Sequence, residues 1–323
     1  MFSLAELEGV LPLVGRSVPP TPQYAWPLLK AQTGVEVIVK HENHSPIGAF
    51  KVRGGLVYID RLRQAQRNLS GIITATRGNH GQSLAYAGAR ARVAVSIVVP
   101  HGNSAEKNAA MLALGAELIE HGRDFDEARE HAGMLAAARG LHFAPSFHPD
   151  FVLGVATYAY ELFQAASPLD AVYVPIGLGS GICAVIAVRD LLGLSTQVIG
   201  VVSDRANTYR LSMAAGAVVP TNSAHTFADG MAVRTADANA LEMIIRGAER
   251  IVEVADEEIA DAIRLFYSAT HNCAEGAGAA ALAALMKERT RWAGRRVAVV
   301  LSGHNIDRDW MATILAGGMP QLG

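Results

Sequence analysis

The chain has 323 residues, half of them apolar, with 31 glycines and few aromatics, which is longer than one average domain and apolar enough for a large α/β core. Its 28 basic and 30 acidic side chains leave a formal net charge of −2, which removes the electrostatic case for a nucleic acid or an anionic membrane as partner. Two cysteines far apart, Cys183 and Cys273, make neither a disulfide framework nor a zinc site and suit a reduced cytoplasm.

The opening Met-Phe-Ser-Leu-Ala-Glu-Leu-Glu lacks the basic and apolar regions of a signal peptide. Residues 1–34 read as a short helix and then an irregular segment, because Pro19-Pro20-Thr21-Pro22 forbids regular helix. Val35 to Lys40 reads as a strand, followed by a lysine-bearing turn and a helix to about Arg63. A regular alternation then begins. Strands at Ile72–Ala75, Val93–Val99 and Glu117–Glu120 are separated by helices at Gln82–Ala91, Ser104–Leu114 and Phe125–Arg139, with Ser104 as a helix cap. A long helix follows from about Phe151 to Ala166. The strand Ala171–Pro175 runs into Gly177-Leu178-Gly179-Ser180-Gly181 and another helix. The apolar run from Leu178 to Val188 is too short and too broken by glycine to span a bilayer. Val198–Val202 is a further strand, and residues 216–240 are the least regular part. Helices at Asp256–Thr270 and Gly276–Lys287 and a last strand at Val297–Leu301 complete the pattern. Short apolar strands alternating with helices imply parallel sheets with right-handed crossovers. No Pro-, Ser- or Gly-rich linker appears, so two domains sharing a cleft are expected.

The chemistry starts at Ser45-Pro46-Ile47-Gly48-Ala49-Phe50-Lys51. Lys51 sits behind a Pro/Gly turn at a helix start, and apolar neighbours would partly desolvate its amine. Desolvation disfavours the ammonium form and makes the amine nucleophilic toward an aldehyde. A surface helix lysine is the competing reading, and three strand ends weigh against it. At Gly177–Gly181 the backbone can approach a ligand closely, and the helix that follows offers free N–H groups, which together make a phosphate cradle. The third glycine falls one residue early for a dinucleotide fingerprint, and the Gly-Lys-Ser/Thr of a P-loop is missing. A tight structural turn is the alternative. In Thr76-Arg77-Gly78-Asn79-His80-Gly81-Gln82, Asn79 could donate its amide to an oxyanion while nearby N–H groups hold a carboxylate; the alternative is an asparagine capping a helix. The third strand end is Leu301-Ser302-Gly303-His304-Asn305. Ligands of open parallel sheets bind beyond the carboxyl ends of the strands, so these three ends and Lys51 describe one crevice.

Gly48 to Gly54, Gly78-Asn79-His80-Gly81-Gln82, the Gly177–Gly181 loop, Asp229-Gly230, Glu275-Gly276 and Leu301-Ser302-Gly303 occur in an order that resembles the fold type II pyridoxal-phosphate enzymes, the family of the tryptophan synthase β chain, and within it the serine/threonine dehydratases and serine racemases. The resemblance covers roughly residues 20–310. It implies an α/β fold of two parallel-sheet, three-layer domains with pyridoxal 5′-phosphate in the cleft between them. The large domain would comprise 1–55 and 149–323, and the small one 56–148 with the Asn79 loop. By matching position, Lys51 would bond the cofactor aldehyde and then act as acid and base. Phe50 would pack against the ring, Asn79 would donate to the pyridine 3-oxygen, and Gly177, Leu178, Gly179, Ser180 and Gly181 would hold the phosphate. Ser302 would face the pyridine nitrogen, and Asp150 matches a cofactor-contacting asparagine of some relatives. Glu275 would shape the ring environment or, equally, serve as a helix N-terminal carboxylate. Thr76, Arg77, Gly78, Asn79 and His80 would meet the substrate. A hydroxyl at Ser302 need not protonate the ring as a carboxylate would, which favours β-elimination over transamination. The phosphate is then a candidate acid for the departing hydroxyl.

Three departures from the family bear on function. Arg77 stands where relatives carry Ser or Ala, and racemases use a serine there as a base. An arginine does not give up a proton at neutral pH, so racemisation is disfavoured. Pointing inward, Arg77 could pair with a substrate carboxylate; pointing outward, it has no role. Val202 and Thr208 replace the carboxylates of a divalent-cation site, so no metal is expected. The chain ends soon after Ser302, so no isoleucine-binding regulatory domain is expected. The reading is therefore a lyase that deaminates L-threonine or L-serine to a 2-oxo acid. The alternatives are a 3-hydroxyaspartate ammonia-lyase, a racemase-like enzyme, or a non-catalytic binding protein. The partner would be an amino-acid substrate and the setting a cytoplasmic homodimer.

Overall fold

The computed structural model describes residues 2–321. Helices α1 (Leu4–Gly15) and α2 (Pro27–Thr33) flank a short strand β1 (Gln23–Ala25), and β2 (Glu36–His41) follows. After α3 (Lys51–Ala65) come β3 (Ile72–Ala75), α4 (Asn79–Ala91), β4 (Val95–Val99), α5 (Ala105–Ala113), β5 (Glu117–Glu120), α6 (Phe125–Arg139) and β6 (His142–Phe143). Then follow α7 (Pro149–Ala166), β7 (Ala171–Pro175), α8 (Ser180–Leu191), β8 (Gln197–Ser203), α9 (Thr208–Ala215) and α10 (Ala238–Gly247). The chain closes with β9 (Arg250–Val254), α11 (Asp256–Thr270), α12 (Gly276–Glu288), β10 (Arg296–Leu301) and α13 (Arg308–Leu315).

The strands form two sheets. One has six strands in the order β1-β2-β10-β7-β8-β9, and the other four in the order β5-β4-β3-β6. Every pairing is parallel except that of β1 with β2. β1 lies where only irregular chain was expected; the prolines before it bar helix but suit an extended edge strand. In the large sheet, successive residues face opposite layers, as a period of two requires. Val172, Val174, Ala298 and Val300 join one core with α7 and α8, while Ala171, Tyr173, Val297 and Val299 join another with α11 and α12. Helices thus cover both faces, the three-layer α/β arrangement expected from the alternation.

Several elements escaped the sequence pattern: α2, β6, α9, α10, β9 and α13. α10 begins inside the stretch taken as irregular, capped by Asp237. α4 begins at Asn79, earlier than the expected Gln82, and α8 begins at Ser180 inside the expected glycine loop. Both shifts move site residues from loop to helix N-terminus.

Glycine sets where the helices sit. A Cβ on Gly154 of α7 would lie 2.3 Å from the Arg53 carbonyl of α3, and one on Gly54 would lie 2.9 Å from that of Phe151. A Cβ on Gly278 of α12 would lie 2.2 Å from the Gly303 carbonyl. The helix carrying Lys51 therefore approaches α7, and α12 approaches the segment that leaves β10, more closely than a side chain at these positions would allow.

Candidate active site

Lys51 is positioned by a strapped turn. Gly48 has φ +68°, and a Cβ there would fall 2.2 Å from His304 Nε2, so both its conformation and its space demand glycine. Ser45 Oγ accepts from the Ala49 amide at 2.9 Å, the Phe50 amide donates to the Ser302 carbonyl at 3.0 Å, and the His304 amide donates to that of Gly48 at 2.9 Å. These bonds fix the start of α3 at the carboxyl end of β10, with Ser302 buried beside it. The amine of Lys51 lies 5.6 Å from the Phe50 ring centroid. Burial pushes its pKa down to about 8, and the carboxylate of Glu275 only partly opposes this. Against an ordinary lysine, the neutral fraction at pH 7 rises from roughly 0.03% to roughly 10%.

Phe50 links the lysine to the glycine turn. Its Cζ lies 3.7 Å from the Cβ position of Gly181, and its ring meets that of Tyr158 edge-on at 6.0 Å. The turn leaves β7 with Gly177 so close to Gly230 that a Cβ would sit 2.3 Å from the Gly230 carbonyl. Gly179 has φ +99°, a left-handed conformation that disfavours a side chain. No side chain caps α8, so its first N–H groups stay free for an anion. Tyr209 Oη donates to the Leu178 carbonyl at 2.9 Å and accepts the Asp237 amide at 3.0 Å, holding the turn from behind.

Glu275 and Asn79 meet across the cleft. Asn79 Nδ2 donates to Glu275 Oε1 at 2.7 Å, and Asn305 Nδ2 donates to Asn79 Oδ1 at 2.7 Å and to the Ile47 carbonyl at 2.8 Å. Neither side chain caps its own helix, so the capping alternative fails for Asn79, while Glu275 does stand at the N-terminus of α12 as its helix-terminal alternative has it. Burial pushes Glu275 up to about 7, against the pull of Lys107 and of the Asn79 hydrogen bond.

A cavity of about 750 Å³ opens here, and Lys51, Thr76, Arg77, Gly78, Asn79, His80, Leu178 and Glu275 line it. Thr76 Oγ1 accepts from the amides of Gly78 and Gly81 at 3.0 and 3.4 Å, which shapes the loop that opens α4. Burial, with Lys51 nearby, depresses His80 to about 3 and keeps it neutral; its Nε2 has no hydrogen-bond partner among the described residues. Arg77 is exposed and is among the residues that line this cavity, as the inward reading requires.

Asp150 does not join the group. Its carboxylate pairs with Arg61 at 2.7 Å in the first turn of α7 and stays out of the cavity lining. The position matches an asparagine in some relatives, but a charged residue with an arginine in reach is drawn into an ion pair. Lys107 was missed. It donates to Asp229 at 2.7 Å, and Asp229 and Glu275 outweigh burial to hold its pKa above the ordinary value. Gly78 makes room for it, since a Cβ there would lie 2.9 Å from Lys107 Cδ. In the sequence Lys107 is one more lysine on an amphipathic helix; only its place after the β4 strand end hinted at the cleft. Asn305 closes the third strand-end motif, and nothing in that motif marks it as a site residue.

A depressed amine on one side of the crevice and a bare helix N-terminus behind a glycine turn on the other suit a ligand with an aldehyde and a phosphate. The orphaned His80 nitrogen agrees with a polar group filling the space. A family model described as pyridoxal-phosphate dependent enzyme matches residues 14–303. The chain is 30% identical over 298 residues to a Pseudomonas protein named L-threo-3-hydroxyaspartate ammonia-lyase, covering 92% of this chain and 93% of that one. It is 32% identical over 297 residues to a Thermotoga maritima protein named L-threonine ammonia-lyase, covering 92% and 74%. The processed form of threonine deaminase isoform 2 from Solanum lycopersicum superposes with a TM-score of 0.89 at 29% identity, over 98% of this chain and 95% of that one. Family match and fold extend over nearly the same residues: the chain belongs to the pyridoxal-phosphate-dependent enzymes, and pyridoxal phosphate is its cofactor.

Proposed function

We propose that the protein is an ammonia-lyase that removes water from β-hydroxy amino acids, with L-serine and L-threonine the simplest substrates. The observation that carries this is the Lys51 amine, depressed to about 8 by burial and joined through Phe50 to the Gly177–Gly181 turn. Gly177, Gly179, Ser180 and Gly181, with the α8 N-terminus, would hold the cofactor phosphate, and Leu178 would close the turn. Asn79, oriented by Asn305, would donate to the ring oxygen in place of its present bond to Glu275. Ser302 would meet the ring nitrogen. The free amides of Asn79 and His80, which open α4, would take the substrate α-carboxylate. Bound pyridoxal phosphate supplies the electron sink for the Cα–H bonding pair. Lys51 would take the α-proton, the β-hydroxyl would leave as water on gaining a proton, for which the phosphate is the candidate acid, and the released enamine tautomerises and hydrolyses to a 2-oxo acid and ammonia.

The names of relatives at 30% and 32% identity support elimination. The strands of the two sheets also support the division into 1–55 with 149–323 and 56–148, since none of the sheets draws strands from both sets. No helix among the described residues is long and apolar enough to cross a membrane. A cytoplasmic homodimer completes the proposal, and light scattering on the purified protein decides its assembly. The central test is ammonia release from L- and D-serine, L- and D-threonine and the 3-hydroxyaspartates. Release from at least one, with a visible band near roughly 410–420 nm that is lost in Lys51→Ala, is expected from Schiff-base chemistry. A colourless protein that releases ammonia from none of them refutes it.

A further inference from the structure

Two cations lining the cavity have no ion pair or hydrogen bond among the described residues: Lys51, whose amine the cofactor aldehyde would take, and Arg77. Lys107 faces Asp229 at 2.7 Å, Arg234 pairs with Asp126, and Arg129 lies 3.8 Å from Asp126. The lining carboxylates are likewise engaged: Asp124 and Asp237 cap α6 and α10, and Glu275 accepts from Asn79. With Lys51 assigned to the cofactor, Arg77 is the remaining unpaired cation. It stands exposed on the cavity wall, one residue past Thr76 at the end of β3, with no ion pair or hydrogen bond to another described residue. Its guanidinium is a planar fork of five donors, permanently charged and shaped for a carboxylate.

The α-carboxylate of a substrate does not need it. The N-terminus of α4, with no side-chain cap, already offers backbone N–H groups and positive dipole for that group. We infer that Arg77 recognises a second carboxylate, carried on Cβ of the substrate, so that the preferred β-hydroxy amino acid is a dicarboxylate rather than serine or threonine. This rests on the ammonia-lyase proposal and narrows its substrate. The chemistry is unchanged: the Cα–H and Cβ–O bonds break, water leaves, and hydrolysis releases ammonia and a 2-oxo dicarboxylate. Arg77 takes no proton and acts through binding.

The test compares the wild-type holoenzyme with Arg77→Gln and Arg77→Lys. L-Aspartate lacks a β-leaving group, so its affinity can be read from the visible band of the cofactor without turnover, against L-alanine as the monocarboxylate control. Wild type is expected to bind L-aspartate at least about tenfold more tightly than L-alanine, as a charge-assisted pair permits. Arg77→Gln erases that preference, and Arg77→Lys, which keeps the charge but loses the fork, retains part of it. In ammonia release, Arg77→Gln raises KM for 3-hydroxyaspartate by a similar factor and leaves serine and threonine within about threefold. Equal losses for serine and 3-hydroxyaspartate would place Arg77 on the α-carboxylate and overturn the inference. So would an aspartate preference that survives Arg77→Gln, or wild type binding the two amino acids equally. In each case ammonia release from serine or threonine leaves the lyase proposal standing, whereas the absence of both band and ammonia from every substrate removes that proposal first.

Discussion

Glu275 makes a measurable thermodynamic claim. Its carboxyl is buried, shares one hydrogen bond with Asn79, and has a pKa raised by burial from 4.5 to about 7. The folded cofactor-free protein therefore holds this proton more tightly than the unfolded chain. Below pH 4.5 both states are protonated and the group adds no pH dependence. Between 4.5 and 7 stability falls as pH rises, and above 7 the full penalty persists. At 1.36 kcal/mol per pKa unit that penalty is about 3 kcal/mol. Glu275→Gln keeps an acceptor for Asn79 Nδ2 and removes the charge. The cofactor-free variant should match wild type near pH 5 and gain up to about 3 kcal/mol by pH 8. For a chain of this length that is roughly 4–5 °C in Tm. Thermal melts of both proteins across pH 5–8, with cofactor removed and its absence checked by absorbance, measure the difference directly. A difference that does not change with pH would refute the claim, as would a variant that loses stability at pH 8.

Because only the neutral amine attacks an aldehyde, the rate of cofactor reloading should climb about tenfold per pH unit below the Lys51 pKa of about 8 and level off above it; stopped-flow absorbance shows the profile, and a rise continuing to pH 10 contradicts the depressed amine. Borohydride reduction of the holoenzyme should fix the cofactor on the peptide containing Lys51, seen by mass spectrometry, and leave Lys51→Ala unlabelled. Gly179→Ala forces a residue with φ +99° to carry a Cβ 2.8 Å from that of Ala240, a strain on the order of 1–3 kcal/mol; equilibrium dialysis should show cofactor affinity falling about tenfold or more. Arg53→Met leaves Glu42 buried without its cation and should destabilise the protein by about 3–5 kcal/mol in urea, while Arg63→Met, on the exposed end of the same helix, should change little.

What the sequence made legible is what local chemistry dictates. Strands such as Ile72–Ala75 and Ala171–Pro175 are apolar enough to be buried on both faces, and the structure places them at those residues. The crevice was legible because it is built from strand ends, and strand ends follow from the alternation itself. Asp150 shows the limit. A matching position fixes where a backbone passes, but Arg61 decides where the carboxylate goes, and Arg61 reads as an ordinary helix-surface arginine. Lys107 shows the reverse. Nothing local marks it, and it becomes a site residue because Gly78, from another element, leaves room for its stem. Arg77 was visible as an oddity, yet its direction depended on cavity walls drawn from several separate segments.

The helix that carries the nucleophile is held more firmly than its own sequence requires. Two residues past Lys51, Arg53 is fully buried, bonding Glu42 at 2.8 Å and Glu161 at 2.6 Å, and Lys40 reaches Glu161 at 2.6 Å. Two cations and two carboxylates, with Thr21 and Thr157 among their partners, thus join β2, α3 and α7. Such a network adds little net stability over an apolar core of the same shape, but its bond directions admit only one register between α3 and α7. The glycine contacts at Gly54 and Gly154 act toward the same end by letting the backbones touch. A lysine that must bond an aldehyde and then reach a substrate proton works only if its Cα is fixed to a fraction of an ångström. The desolvation that makes its amine reactive comes from its burial, and the placement of that amine from buried charge two residues along the same helix.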